Sequence, residues 1–345
     1  MSTNNLSKQK LYNQFTLSKH LDHRRQPNQT TQSSRLISYI SLPKVEPSRP
    51  STRKNTHSTT SRLGSSNLLE SQSSARLMMQ NYSLTSSNPY VSSESCCIIN
   101  IKTEALIFKK NDDEIREIAS LTKIMTCFLA LKLCKELKIS LESQVQVSEK
   151  AVKSIGTSAG LIEGSRLTIR SLLYGLMLPS GNDASIVLAE FFGNFLCITS
   201  KPIQVFVREM NRIARDLRLT CTNFGNPHGL SYKGNVSCAR DIARLTVVAL
   251  KDQNFREIVK SQVYLADVRL KNADKTQKTW TNTNKLLWDG FEGVKTGNTN
   301  SAGPCLCALS GKFVYVMLNC RTSDTRWVEA KKLKKWAECV YYEDM

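Results

Sequence analysis

The segment Ser120-Leu-Thr-Lys123 could supply a nucleophile and its base. A spacing of three residues places the two side chains on the same face of a helix. A serine hydroxyl is a weak nucleophile until a base accepts its proton. A lysine can be that base, because burial and the positive end of a helix both favour its neutral form. The pattern alone is weak evidence, since Ser-x-x-Lys also occurs at residues 7–10, 41–44 and 51–54.

Two later motifs add polar groups that could complete a site. Ser180-Gly-Asn182 lies between two predicted helices, where it either presents a hydroxyl and an amide to a cleft or caps a helix. Lys295-Thr-Gly297 occurs once and precedes an apolar strand. There a cation and a hydroxyl suit the carboxylate of an extended ligand, and a glycine lets the ligand backbone approach. The alternative is a strand-entry turn with a solvated lysine.

Together and in this order, the three motifs resemble the set found in β-lactamases and penicillin-binding proteins. The flanking sequence is more specific. It resembles the low-molecular-mass penicillin-binding proteins, and in particular the D-alanyl-D-alanine carboxypeptidases of serine peptidase family S11. The resemblance extends over about residues 96–342, and it is carried by four segments: Ala119–Thr126, Leu178–Ala184, Asn226–Leu230 and Gly293–Gly303.

The resemblance implies a role for each residue of the first two motifs. Ser120 would attack the carbonyl of the penultimate D-alanine and form an acyl-enzyme, with Lys123 as the general base. Ser180 would relay a proton to the leaving amine. Asn182 would orient Lys123 and bind an amide of the substrate.

On the strand side of the cleft, the resemblance implies that Lys295 and Thr296 hold the terminal carboxylate, while Gly297 leaves room for the ligand backbone. The backbone N–H groups of Ser120 and Asn298 would form the oxyanion hole. The implied partners are a D-Ala-D-Ala-terminated peptide or peptidoglycan fragment, and β-lactams as covalent inhibitors. The resemblance implies no cofactor.

His228 and the cysteines are the other residues that could react or bind a metal. His228 lies in the loop Asn226–Leu230, which by resemblance shapes one wall of the cleft, so we do not expect its imidazole to react. The eleven cysteines include no C-x-x-C pair, and we expect Cys305 and Cys307 to point to opposite faces of a strand. We therefore predict reduced thiols and no metal site.

Apolar patterning predicts the elements that would position these residues. Strands are predicted at residues 95–101, 105–108, 305–309 and 313–318. Helices are predicted at residues 120–137 (buried and central), 167–178, 184–192, 240–251 (opened by Ser237) and 323–342. The last helix carries Trp327 and Trp336, and we expect it to belong to the core rather than to anchor the chain in a membrane. This order predicts an α/β (α+β) fold. The resemblance makes it a β-lactamase/transpeptidase-like domain, an antiparallel sheet with a helical subdomain.

Composition divides the chain near residue 95. Residues 1–95 are rich in serine, lack a periodic apolar pattern and hold 12 basic and 4 acidic side chains, so we predict a disordered basic tail before a catalytic domain at 96–345. No apolar stretch is long enough to span a membrane, and no signal-peptide core is found. These features favour an intracellular location, although a tail poor in acidic residues is also typical of organelle transit peptides.

Three alternatives to a carboxypeptidase follow from the same sequence. A β-lactamase-like hydrolase would need a glutamate to activate water, and the stretch Asn223–Arg240 contains none. The net charge of +19 could attract nucleic acid, but no nucleic-acid-binding motif is present, which disfavours that partner. The third alternative is a penicillin-binding or basic binding protein without turnover, and the sequence leaves it open.

Overall fold

The computed structural model describes residues 88–198, 200–232 and 234–341. Most of the predicted tail, residues 1–87, lies outside the described residues. Residues at the end of the predicted tail belong to the folded domain, because Val91 and Ser93 are buried. The packed domain therefore begins at least five residues before the predicted boundary at Cys96.

Nine strands and eight α-helices are found in the described part of the chain, together with 3-10 turns at Ala119–Leu121 and Lys285–Asp289. The strands are β1 (Ser95–Asn100), β2 (Leu106–Lys110), β3 (Gln144–Gln146), β4 (Arg166–Thr168), β5 (Val263–Arg269), β6 (Lys275–Thr281), β7 (Val294–Thr299), β8 (Gly303–Ser310) and β9 (Phe313–Leu318). The helices are α1 (Thr122–Glu136), α2 (Glu149–Val152), α3 (Ile169–Met177), α4 (Asn182–Leu196), α5 (Pro202–Asp216), α6 (Ala239–Ala249), α7 (Gln253–Lys260) and α8 (Thr325–Val340).

The strands form two antiparallel sheets. The larger sheet has the order β2-β1-β9-β8-β7, so the early and late strand pairs of the sequence meet at its centre. The smaller sheet has the order β3-β4-β5-β6. With the helices described below, this arrangement confirms the predicted fold class of an antiparallel sheet with a helical subdomain.

The larger sheet separates two apolar cores, because successive side chains of a strand point to opposite faces. On β1, Cys97 and Ile99 face the helical side, whereas Cys96 and Ile98 face α8. Cys305 and Cys307 lie together on the helical side. The expectation that they point to opposite faces is wrong, since residues two apart on a strand share a face.

The helix α1 forms the centre of the helical side, as predicted. Eleven of its fifteen residues are buried, and α3, α4, α6 and α7 all pack against it. Its apolar residues cover the whole circumference, which is typical of a helix surrounded by other elements. The chain thus places Lys123, one residue into this helix, in the interior of the domain.

Several predicted elements differ from the structure at their ends. The predicted helix 167–178 begins later, because Arg166–Thr168 pair as β4 between β3 and β5. The helix predicted to open at Ser237 is instead capped by Cys238, whose Sγ accepts a bond from Asp241 N. The helices α5 and α7 and the hairpin β5–β6 were absent from the prediction.

The helix α8 covers the outer face of the larger sheet. Its residues Ala330, Leu333 and Ala337 are buried against β8 and β9, and Trp336 stacks edge-on to Phe108 at 5.6 Å. Among the described residues, no helix is both long enough and apolar enough to span a membrane. The prediction that the final helix belongs to a core is confirmed.

Candidate active site

Lys123 is the centre of a hydrogen-bond network that joins three segments of the chain. Its Nζ lies 3.0 Å from Ser120 Oγ, 2.7 Å from Asn182 Oδ1 and 2.6 Å from the backbone oxygen of His228. A neutral amine has two hydrogens and one lone pair. Donation to the oxygens of Asn182 and His228 uses both hydrogens and leaves the lone pair for the hydroxyl proton of Ser120.

The surroundings of Lys123 favour this neutral form. The side chain is fully buried, and burial is the largest cause that lowers its pKa well below the ordinary value for a lysine. The positive charge of Lys295 lowers it further, while the negative charge of Asp183 acts in the opposite direction. Burial thus favours the neutral amine, which is the form that can accept a proton.

Ser120 lies on the 3-10 turn Ala119–Leu121, directly before α1. Two glycines pack against this turn. A Cβ at Gly229 would lie 2.0 Å from the backbone oxygen of Ala119, and a Cβ at Gly297 would lie 3.1 Å from Ser120 N. The serine is thus enclosed by the loop of Gly229 on one side and by β7 on the other.

Asn182 is the first residue of α4 and is buried. Its Nδ2 donates to the backbone oxygen of Ile155 at 2.7 Å, so its Oδ1 is turned toward Lys123. Gly156 makes this contact sterically feasible, because a Cβ there would lie 2.8 Å from Asn182 Nδ2. Asn182 therefore holds Lys123 in a fixed position.

Ser180 precedes α4 in a left-handed backbone conformation, with φ of +65°. Such a conformation is unusual for serine and is often found at functional sites. Its Oγ is buried and has no hydrogen-bond partner among the described residues. The structure thus brings Ser120, Lys123 and Asn182 into one network, while the hydroxyl of Ser180 forms no bond to any of them. A buried hydroxyl of this kind is available to a ligand.

The strand β7 is an edge strand of the larger sheet, so one row of its backbone groups faces away from β8. Leu309 N donates to Gly293 O at 3.2 Å, so odd-numbered residues of this strand bond to β8 and even-numbered residues point to the open edge. Asn298 is consistent with this alternation, since its partner on β8 is Pro304, which has no N–H. The N–H of Asn298 therefore points to the open edge and is available to a ligand, while the carbonyl of Thr296 accepts from Lys295 Nζ.

Lys295 is also buried on β7, where its Nζ donates to Thr296 O at 3.0 Å. Burial and the charge of Arg326 lower the pKa of Lys295 to about 7. The buried ammonium of Lys295 therefore loses its proton more easily than that of an exposed lysine. The hydroxyl of Thr296 is held by Thr283 at 2.8 Å.

Arg326 is a cationic residue of this site that sequence reasoning missed. It lies at the start of α8 and donates to the backbone oxygens of Gly297 at 3.2 Å and Cys305 at 3.3 Å. Its Nε is buried without a partner among the described residues. Burial lowers the pKa of Arg326, but a guanidinium keeps its charge in proteins. No local motif marks this arginine, so only the fold could reveal it.

His228 contributes its backbone rather than its imidazole. Its carbonyl accepts from Lys123, while its Nδ1 accepts from Leu230 N at 3.2 Å. Burial and the charge of Lys123 lower the pKa of the imidazole to about 4, so the ring is neutral at physiological pH. The same loop is held by Thr126, whose hydroxyl donates to Pro227 O at 2.6 Å.

Comparison with known proteins relates this arrangement to one family. A family model described as D-alanyl-D-alanine carboxypeptidase matches residues 82–314. The D-alanyl-D-alanine carboxypeptidase DacF of Bacillus subtilis is 34% identical over 255 residues, which are 72% of this chain and 62% of that protein. The D-alanyl-D-alanine carboxypeptidase of Streptomyces sp. strain K15 is 35% identical over 215 residues, which are 60% of this chain and 72% of that protein. The chain thus spans less than two thirds of the length of DacF.

Solved structures show the same relationship at the level of the fold. The crystal structure of the Streptomyces K15 DD-transpeptidase is 30% identical to this chain, covers 72% of this chain and 98% of its own, and gives a TM-score of 0.69. The structure of the D-alanyl-D-alanine carboxypeptidase DacD from Francisella tularensis is 25% identical, covers 73% and 71% respectively, and gives a TM-score of 0.66. These matches confirm the transpeptidase-like fold.

Proposed function

Because the chain belongs to the D-alanyl-D-alanine carboxypeptidase family, peptidase family S11, we propose that it is a serine peptidase that removes the terminal D-alanine from D-Ala-D-Ala peptides. One observation carries the proposal. The buried Nζ of Lys123 lies 3.0 Å from Ser120 Oγ, and its two other partners are oxygens that hold it in place. This is the geometry of a nucleophile with its base.

In the first step, Ser120 Oγ attacks the carbonyl carbon of the penultimate D-alanine, and its proton passes to Lys123 Nζ. The carbonyl oxygen becomes an oxyanion. The N–H of Asn298 points to the open edge of β7 beside the Ser120 turn, where it is suited to donate to that oxyanion together with the N–H of Ser120.

The terminal carboxylate of the substrate selects the scissile bond. Arg326 supplies a permanent charge next to β7, and a bound carboxylate favours the charged form of Lys295, because an opposite charge stabilises it. Thr296 adds a hydroxyl on the same strand. This set favours a free carboxyl terminus over a blocked one.

The leaving D-alanine needs a proton on its amine. Lys123 holds the proton taken from Ser120, and the unpartnered hydroxyl of Ser180 is suited to relay it. The amine departs, leaving the acyl group as an ester on Ser120. Water then attacks this ester while Lys123 accepts its proton. The bond between the acyl carbon and Ser120 Oγ breaks, the shortened peptide leaves as an acid, and Lys123 returns the proton to Ser120 Oγ.

The proposed partners are those of the family. They are D-Ala-D-Ala-terminated peptides, including peptidoglycan fragments, and β-lactams, whose strained amide would acylate Ser120 in the same way. The site as described uses no cofactor in these steps. A long-lived β-lactam adduct is expected, since Asn223–Arg240 contains no glutamate to activate a hydrolytic water.

The decisive experiment measures release of D-alanine from diacetyl-Lys-D-Ala-D-Ala by the full chain. We expect release by the wild-type protein, loss in Ser120→Ala, and full activity in Ser41→Ala, which alters the same Ser-x-x-Lys pattern in the tail. Labelled penicillin should form a stable adduct that maps to Ser120. Rapid loss of the label would instead indicate a β-lactamase, and a stable adduct without D-alanine release would indicate a binding protein.

A further inference from the structure

Three potential metal ligands meet at the start of α6, in a place that the proposed reaction does not use. The Sγ atoms of Cys221 and Cys238 and a carboxylate oxygen of Asp241 all lie within 4.8 Å of one another. Cys238 and Asp241 are buried, whereas Cys221 is partly exposed. Two thiols and a carboxylate form a donor set of a kind that binds transition metals in proteins.

The backbone explains why residues seventeen positions apart come together. Asn223 and Val236 form an antiparallel bridge with two hydrogen bonds of 2.9 Å. One step further out, the hydroxyls of Thr222 and Ser237 lie 2.8 Å apart. The next step places Cys221 opposite Cys238. Since the two thiols are linked by this pairing and not by local spacing, no C-x-x-C signal exists, and the sequence predicted no metal site.

The carboxylate is oriented before any metal binds. Asp241 Oδ2 accepts from Cys221 N and from the hydroxyl of Thr222, both at 2.8 Å. Among the described residues, no hydrogen bond reaches the other oxygen, Oδ1. Asp241 N in turn donates to Cys238 Sγ at 3.4 Å. The Asp241 carboxylate and the Cys238 thiol are thus held by the same turn, and the Cys221 thiol donates to the backbone oxygen of Asp113 at 3.4 Å, as expected of ligands positioned by surrounding groups.

The local charges leave room for a cation. Arg240 is the adjacent basic residue, but its guanidinium is bound to Asp112 at 2.6 Å and to Asp113 at 3.4 Å. A divalent cation would offset the charge of Asp241 and displace the thiol protons.

We propose that Cys221, Cys238 and Asp241 bind one zinc ion, with a fourth position open to water on the side of Cys221. Two thiolates disfavour magnesium and calcium, which prefer oxygen ligands, and the carboxylate favours zinc over copper(I). This proposal is independent of the proposed function.

The zinc ion would join the two ends of the segment 222–237. That segment carries His228 and Pro227, whose carbonyls accept from Lys123 and Thr126. The metal would therefore stabilise the loop that holds the catalytic lysine, without touching the substrate.

The test uses the full chain, purified under reducing conditions and incubated with zinc, then freed of excess metal. We expect one zinc ion per chain by elemental analysis. Replacement by cobalt(II) should produce a thiolate-to-cobalt charge-transfer band in the near ultraviolet. Cys221→Ser and Cys238→Ser should each lower zinc affinity by about tenfold or more and weaken that band. Cys197→Ser, which changes an exposed thiol elsewhere, should retain both signals.

The variants are chosen so that loss of metal can be told from loss of fold. Serine at position 238 is a good helix cap, so Cys238→Ser keeps the start of α6 while removing the thiolate. Cys221 is partly exposed, and its replacement leaves the core unchanged. Wild-type protein that binds no zinc and shows no cobalt–thiolate band would overturn the proposal. So would equal zinc binding by Cys221→Ser, or a Cys221–Cys238 disulfide in the protein before reduction.

Discussion

The charge of Lys295 on β7 lowers the pKa of Lys123 on α1, and only burial lowers it more. In the proposed reaction, the pKa of the base therefore responds to the residue proposed to bind the substrate carboxylate. A carboxylate bound beside Lys295 would offset its positive charge, so the pKa of Lys123 would rise and Lys123 would become a stronger acceptor for the proton of Ser120.

Replacing Lys295 with methionine should shift the pH dependence of acylation. Lys123 reacts only when neutral, so acylation increases as pH rises through its pKa. Loss of the neighbouring charge raises that pKa, so the acid limb should move to higher pH. Acylation by labelled penicillin, followed across pH, measures the shift. Lys295→Arg keeps the charge and should leave the limb in place; equal shifts in both variants would contradict the coupling.

Arg326→Leu should weaken recognition of a free carboxyl terminus. The variant loses a charge-assisted contact worth about 1.5–3 kcal/mol, so KM for diacetyl-Lys-D-Ala-D-Ala should rise by roughly tenfold or more. Cleavage of the same peptide with an amidated terminus should change little. Arg321→Leu, at an exposed position nearby, serves as the matched control. If Arg326→Leu affected both peptides alike, the residue would be structural rather than a carboxylate ligand.

Side chains added at Gly297 should slow acylation in order of size. A Cβ there would lie 3.0 Å from Ile118 O and 3.1 Å from Ala119 Cβ, so β7 must move away from the Ser120 turn. Displacements of about 1 Å can cost roughly a hundredfold in rate. We expect Gly297→Ala to be mildly slower than wild type and Gly297→Val to approach that loss. Circular dichroism checks the fold, and equal rates for Ala and Val would show that the close approach is unimportant.

His228→Asn should reduce the sensitivity of the fold to acid. The folded pKa of His228 is about 4, below the ordinary 6.5, so the unfolded chain binds more protons between these values. Stability from this group is complete above about pH 6.5 and is lost as pH falls toward 4. Urea unfolding measures the free energy of unfolding at pH 7 and at pH 4.5. Between these two values it should fall by about 2 kcal/mol less in the variant than in the wild type, allowing for partial exposure of the ring. An unchanged difference would show that other groups dominate.

The site was predictable where chemistry is encoded by short motifs. Ser120 and Lys123 are one helical turn apart, and Ser180-Gly-Asn182 and Lys295-Thr-Gly297 have fixed internal spacing, so their residue types could be recognised without a structure. That the three motifs form a single site could be expected only from the resemblance to the family. The roles assigned to Ser180 and Asn298 are still predictions.

Contacts between distant segments carry no such local signal. Arg326 reaches β7 only because α8 folds over the sheet, and Cys221 meets Cys238 through an antiparallel bridge. Residues 167 and 168 of strand β4 fall within a predicted helix, because a strand of three residues is too short to show a period of two. The expectation that Cys305 and Cys307 point to opposite faces of β8 is a counting error, since residues two apart on a strand share a face.

The helix α8 closes the outer core through Leu333 and Ala337 and also carries Arg326 to the edge of the cleft. This one helix therefore both completes the outer core and positions the arginine that is proposed to bind the substrate carboxylate. Substitutions that loosen the packing of this helix would therefore reduce substrate specificity and the stability of the fold together, so the two properties depend on the same residues.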